Sequence, residues 1–265
     1  MATVKEIYTA LDRWAPFATQ MGFDNAGFLV GHGEQMVTKI IVALDITENV
    51  IKEAVEKGAE LIVAHHPVIF HPVRALTDET TTGRKLLKLT ESHISAICAH
   101  TNLDAAQGGV NSALAKSLQL REVQHLHPDG EDGQGRVYGI GRVGVVHQEG
   151  MAAEEYARFV KEKLGASSVR FVDAGRSVYK VAVGGGACGS MLSDAIKMGC
   201  DTFVTADIKH DQFLEAQMLG INLMDAGHFA TEDVVCTEIV AYMEKNFPEV
   251  KVWQAESDKE SYRSV

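Results

Sequence analysis

The chain has 265 residues, 46% hydrophobic and 23% charged, which suits one large globular domain or two smaller ones. Its 25 Lys and Arg against 36 Asp and Glu give a formal net charge of −11, which argues against a protein that grips nucleic acid through phosphates. No apolar run approaches the ~18 residues that cross a bilayer, and the stretch Met1 to Ile7 is charged and amphipathic rather than a secretory signal. The cysteines, Cys98, Cys188, Cys200 and Cys236, form no C-x-x-C pair and read as small core residues in a reducing compartment, so a cytoplasmic location is expected.

Lys39 to Leu44 (KIIVAL) predicts a buried strand, and Glu48 to Lys57 a helix closed by Gly58. A strand over Glu60–Ala64, a helix over Gly83–Ser92, a strand over Ile94–Ala99 and a helix over Val110–Leu118 follow. The rhythm lapses at Pro128 to Gly135 (PDGEDGQG), whose turn residues mark a domain boundary or a hairpin tip. It restarts with a strand over Val137–Val146, a helix over Ala152–Leu164, a strand over Val178–Val183 and a helix over Ser190–Met198. Thr202–Thr205 is a strand, Lys209–Leu219 a helix and Ile221–Met224 a short strand. The last helix runs from about Ala230 to Asn246, with Val235, Ile239 and Met243 as one apolar stripe. Unbroken apolar runs suit parallel strands covered on both faces, and their alternation with helices predicts α/β architecture. The expected division is two α/β subdomains, 1–125 completed by 226–265, and 126–225, with a ligand crevice between them.

Three clusters of imidazoles and carboxylates stand at the ends of apolar elements: His65-His66-Pro67, His100 with Asp104, and Gly227-His228 with Glu232. A single buried His is usually a satisfied core residue, but three such clusters are the raw material of a divalent-metal site. Consecutive strand residues face opposite sides. Where the strand ends at Pro67 both rings can still reach one pocket, and two neighbouring cations would use both. His228 and Glu232, spaced i,i+4, share a face of a first helical turn.

The phrases AHHPVIF, AHTNLDAAQGGVN and DAGHFATE, with ALDIT and GFDNAGFLVG before them, resemble the GTP cyclohydrolase 1 type 2 homologues, the Ngg1-interacting-factor-like family, over nearly the whole chain. The resemblance implies a dinuclear centre with His65, His66, Asp104, His228 and Glu232 as ligands and Glu232 as the bridge. It places Asp24, Asn25, Asp45 and His100 behind the ligands or lining the pocket, with a capping role as the plain alternative. It also implies a ring-shaped homo-oligomer, typically a hexamer, acting on small molecules. The sequence departs from the family pattern at Phe23, where many relatives have Trp, and at Ala206, where many have Gly; His210 falls one position from a family His. The His and carboxylate set suits Zn, Mn, Fe or Ni.

A second signal competes. Gly184 to Gly189 contains G-x-G-x-x-G between a strand and a helix, with Asp207 at about ribose-binding distance, the pattern of a dinucleotide site. A tight connection is the plain alternative; on that view Gly186→Ala disturbs packing and leaves metal content intact. Three functions stay open: a metal-dependent hydrolase, possibly acting like a GTP cyclohydrolase on a small nucleotide or heterocycle; a non-enzymatic metal-binding regulator; and a dinucleotide-binding oxidoreductase.

Overall fold

A computed structural model describes residues 2–147 and 150–265. The chain forms two compact units, Met1–Leu103 with Cys236–Lys259, and Asp104–Val235 with Glu260–Val265.

The first unit is built on a five-stranded sheet in the order Lys251–Gln254, Lys39–Ala43, Leu61–Ala64, Ser95–Cys98, Gly27–Val30. Its first four strands are parallel and the last is antiparallel. Ile41, Ala43, Ile62, Ala64, Ala96 and Cys98 pack with Val50, Ile51, Leu86 and Leu89 from helices Glu48–Lys57 and Thr81–Glu91. The alternate residues Ile40, Val42, Leu61, Val63 and Ile97 are buried as well, which is why these strands read as unbroken apolar runs. Helix Glu48–Lys57 starts where Thr47 accepts a hydrogen bond from the Val50 N–H and stops at Gly58, whose φ of 67° is the left-handed cap a glycine adopts without strain.

The second unit carries a six-stranded sheet, Arg170–Val172, Asn222–Asp225, Thr202–Thr205, Lys180–Val183, Arg142–Val145, Arg121–His125. The three strands Asn222–Asp225, Thr202–Thr205 and Lys180–Val183 are parallel, and the others are antiparallel to their neighbours. Val181 and Val183 face helices Val110–Ser117 and Ala153–Leu164 through Leu114, Leu118, Tyr156 and Val160. Ala182 faces helices Leu192–Lys197 and His210–Leu219 through Leu192, Ala195 and Ala216. This is mixed α/β architecture with both sheet faces covered, as expected.

The units divide elsewhere than at residues 125/126 and 225/226. Residues 104–125 fall in the second unit because Leu114, Ala115 and Leu118 are core to its sheet, and so do 226–235. The Pro128 to Gly135 stretch is a hairpin tip rather than a boundary, with Gly130–Glu131 pairing Val137–Tyr138. The expected strand Val137–Val146 is two, Val137–Tyr138 and Arg142–Val145. A Cβ at Gly139 would stand 2.0 Å from the His127 carbonyl oxygen, so the chain there needs a glycine. The last helix comes in two pieces, His228–Glu232 and Val234–Asn246. The amphipathic start is a helix, Val4–Trp14, opened by a Thr3/Glu6 capping box.

Candidate metal centre

The first unit collects its imidazoles by strand register. Ala43 lies opposite Ala64, and Ala64 opposite Cys98, so three parallel strands deliver Asp45, His65 with His66, and His100 just beyond their carboxyl ends. The pairing continues briefly beyond the strands: the His65 N–H donates to the Ala43 carbonyl (3.2 Å), His66 N–H to Leu44 (2.9 Å) and Ala99 N–H to Ala64 (2.9 Å). The rings of His65 and His66 are 5.0 Å apart, and those of His65 and His100 5.2 Å. One ring nitrogen from each of His65, His66 and His100 lies within 4.8 Å of the other two, so these three can hold a cation.

Each ring is fixed from behind. His65 Nδ1 donates to the Ala99 carbonyl at 2.8 Å, His66 Nδ1 to Asp45 Oδ1 at 3.0 Å and His100 Nδ1 to Asp24 Oδ1 at 2.7 Å. A carbonyl or ionised carboxylate only accepts, so the proton sits on Nδ1 and Nε2 is the basic nitrogen. Asp24 also accepts from the Thr101 N–H (3.0 Å) and hydroxyl (2.5 Å). Burial works to raise its pKa, but the His100 and Thr101 hydrogen bonds outweigh it and hold the carboxyl down at about 2. Asp45 is held in turn by Asp258, whose Oδ2 accepts the Leu44 N–H (2.6 Å) and the Asp45 N–H (3.1 Å).

The second unit delivers its groups from one-turn helices. Asp104 sits on the helix Thr101–Ala105, and His228 and Glu232 open and close His228–Glu232. His228 Nε2 is 3.0 Å from Glu232 Oε2, and a carboxylate oxygen of Asp104 lies within 4.8 Å of one of Glu232. His228 Nδ1 donates to Asp207 Oδ2 at 2.7 Å, repeating the pattern of the other three rings. Thr205 pairs with Asp225 in register, so Ala206-Asp207 and Ala226-Gly227-His228 leave the sheet side by side. Buried Asp225 fixes both turns by accepting from the Ile208 N–H (3.0 Å) and the Gly227 N–H (3.1 Å). His210 is exposed at the start of its helix and belongs to none of the candidate metal groups among the described residues.

The glycine loop belongs to this construction. A Cβ on Gly186, at φ +65°, would stand 2.1 Å from Glu232 Oε1, and one on Gly185 2.8 Å from Val110 Cγ1. The loop is glycine-rich because Glu232 and helix Val110–Ser117 approach its backbone closely. Four of its N–H groups are spent inside the protein: Gly184 on the Val204 carbonyl, Gly185 on Asn111 Oδ1, Gly186 on Thr231 Oγ1 and Cys188 on the Gly186 carbonyl. A phosphate cradle needs such groups pointed at the ligand, and these four point elsewhere. Burial, then the Asp104 and Glu232 carboxylates, push the Cys188 thiol up, and it donates to the Gly185 carbonyl.

Two groups escaped the sequence argument. Buried Asn111 donates to the Asp104 carbonyl and accepts from Gly185 N–H, both at 2.9 Å, tying the Asp104 helix to the loop behind Glu232. Arg142, whose pKa burial lowers to about 10, spreads its guanidinium over the carbonyls of Gly139, Gly141, Ala105 and Ala106 and so closes the end of helix Thr101–Ala105. Asn111 stood in plain view inside AHTNLDAAQGGVN, but nothing local tells a bridging Asn from a helix-capping one.

Parallel-strand ends carrying buttressed imidazoles and carboxylates define an α/β protein with a candidate divalent-metal site. The chain belongs to the Duf34/NIF3 (NGG1p interacting factor 3) family, whose model matches residues 2–261. It is 36% identical over 230 residues to a GTP cyclohydrolase 1 type 2 homolog of Clostridium perfringens, covering 86% of each chain. A crystal structure of a Staphylococcus aureus protein matches with a TM-score of 0.92 at 28% identity, over 100% of this chain and 99% of that one. The fold is shared with a Bacillus cereus protein related to NIF3, at a TM-score of 0.93 and 23% identity over 100% and 99% of the two chains. Among the described residues, no helix is long and apolar enough to cross a membrane.

Proposed function

We propose that the chain is a divalent-metal-dependent hydrolase with a dinuclear centre, whose ligands would be His65, His66, Asp104, His228 and Glu232, with Glu232 as the bridge. The observation that carries this reading is the anchoring of four imidazoles through Nδ1, His65 on a carbonyl and His66, His100 and His228 on carboxylates. Ligating histidines need such backing to fix tautomer and direction. His100, anchored in the same way, is added as a candidate donor. The nitrogen and oxygen donors suit Zn, Mn, Fe or Ni. Two such cations supply Lewis acidity and lower the pKa of water. The protein's own part is to hold the Nδ1 protons with Asp24, Asp45 and Asp207 and to bring Glu232 up against the glycine loop.

The name of the Clostridium perfringens relative supports a GTP cyclohydrolase-like reaction on a small nucleotide or heterocycle. The family resemblance extends the proposal to a ring-shaped homohexamer, and four free cysteines support a cytoplasmic setting. The test is elemental analysis of protein purified without added metal, beside a hydrolase substrate panel and light scattering. Two metal equivalents per chain, turnover, and metal loss in Glu232→Gln are expected. Unchanged metal in Glu232→Gln overturns the ligand set, metal without turnover favours the regulator, and a mass at or below a dimer overturns the ring.

A further inference from the structure

Beside the histidines of the first unit stand two phenyl rings that the fold does not bury. Phe23 is 65% exposed and Phe70 41%. Their centroids are 6.5 Å apart with planes at 62°, so they form a corner that offers one ring's face and the other's edge. Phe70 also meets the His100 ring at 6.1 Å and 82°, placing the corner against the imidazole cluster.

The corner is held in place rather than loosely displayed. Thr101 Oγ1 accepts the Met21 N–H at 2.9 Å, and the Asp24 N–H turns back onto the Met21 carbonyl at 2.9 Å. The Asp24 carboxylate is bonded to His100 and Thr101. Asn25 Nδ2 donates to the Ile69 carbonyl at 2.6 Å, stapling the segment that bears Phe23 to the one that bears Phe70. Phe23-Asp24-Asn25 thus divides its work: Asp24 braces His100, Asn25 joins the two segments, and Phe23 is left facing outward.

We propose that the Phe23–Phe70 corner is the recognition subsite for a planar nitrogen heteroaromatic ring of the substrate, a step that rests on the adjacent imidazoles being metal ligands as proposed above. Phenyl faces are electron-rich and edges electron-poor, so a planar heterocycle can stack offset on one ring and meet the edge of the other. Exposed aromatic rings bind bases of any identity this way, because every base has a π face. A ring seated in the corner has its polar edge at the imidazole cluster, where the cations are proposed to act. Apolar walls with a few convergent polar groups are the usual make-up of a small-molecule site.

The test is calorimetric titration of the metal-loaded full chain with guanosine and uridine, with ribose as the ring-free control. Both nucleosides should bind and ribose should not; Phe23→Ala and Phe70→Ala should each weaken nucleoside binding about tenfold. Phe23→Trp should retain it, and metal content should stay at the wild-type level in all three variants. Failure of both nucleosides to bind, or equal affinity in wild type and both alanine variants, overturns the subsite. So does a Phe23→Ala protein that loses assembly mass in light scattering but keeps its nucleoside affinity, since the rings would then be covering a second copy. Nucleoside binding to a protein that holds no metal would overturn the hydrolase and leave the subsite standing; metal without nucleoside binding would do the reverse.

Discussion

The two units present their candidate ligands from the same topological place by different means. In both, three adjacent parallel strands end together: at Ala43, Ala64 and Cys98 in the first unit, and at Val183, Thr205 and Asp225 in the second. Ligand sites collect outside the carboxyl ends of such strands. In the first unit the imidazoles sit directly on the strand ends, so sheet register alone assembles them. In the second, the groups ride on one-turn helices, and their placement depends on the glycine loop and on Asn111. A histidine on a strand end is secured by a whole sheet, whereas a helix of one turn has little stability of its own. The second set should therefore be the more fragile to changes that touch no ligand.

The largest expected effect is that of Gly186→Ala. The added methyl collides with Glu232 Oε1 and the residue is forced to keep φ +65°. Overpacking costs roughly 1–3 kcal/mol and a left-handed non-glycine roughly 1–2 more. The variant should lose about 2–5 kcal/mol in urea unfolding, and bound metal with it. This reverses the expectation, from the sequence alone, that the loop can change without touching metal. Gly133→Ala, which meets nothing within 4 Å, is the control. Wild-type metal content in Gly186→Ala would break the link between loop and site.

Asn111→Ala should come next. It strips partners from the Asp104 carbonyl and the Gly185 N–H, both inside the protein. A buried polar group left unsatisfied costs about 1–3 kcal/mol, so a loss of about 2–3 kcal/mol is expected, with weaker metal retention on dialysis. A variant that unfolds earlier but holds metal as tightly as wild type would show that Asn111 serves the core and not the site.

How much of this was legible follows from where each strand lies. Lys39–Ala43, Leu61–Ala64 and Thr202–Thr205 are central and buried, and each announced itself as an apolar run. The strands of the two large sheets that went unassigned, Gly27–Val30, Lys251–Gln254, Arg121–His125 and Arg170–Val172, are the four edges. An edge strand pairs on one side only and tolerates charge, as REVQH does, while GFLV and RFV are too short for their apolar residues to mark a strand. The site divides in the same way. Side-chain type marked His65, His66, Asp104, His228 and Glu232, the first two carried by the first unit and the other three by the second. The partnership of Asp207 with His228 was hidden, because it arises from the register of Thr205 against Asp225. From sequence Asp207 stands out only for its ribose-binding spacing in the competing dinucleotide pattern, since local spacing cannot reveal its partner.

The smallest effect expected sharpens the comparison from the first unit's side. Glu53 accepts hydrogen bonds from Lys57 Nζ (2.7 Å), the Glu256 N–H (3.1 Å), the Ser257 N–H (2.8 Å) and the Ser257 hydroxyl (2.6 Å). It thereby ties down the segment from which Asp258 reaches the Leu44 and Asp45 N–H groups, just before the carboxylate that backs His66. Burial works to raise the Glu53 pKa, but the Lys57 and Ser257 hydrogen bonds and the two backbone N–H groups overcome it and hold it at about 2, below the ordinary 4.5. A carboxyl depressed on folding contributes stability that is complete above its unfolded pKa and lost as pH falls through the folded one. The window is therefore pH 4.5 down to about 2. Glu53→Gln should cost about 1 kcal/mol at neutral pH, an amount kept small because the Lys57 partner is solvent-screened. The difference from wild type should shrink as pH drops through that window and vanish near its lower end. Metal content at pH 7 should be unchanged, because strand register still holds His65 and His66 in place. Metal loss in Glu53→Gln would mean that the first unit leans on distant contacts as much as the second does.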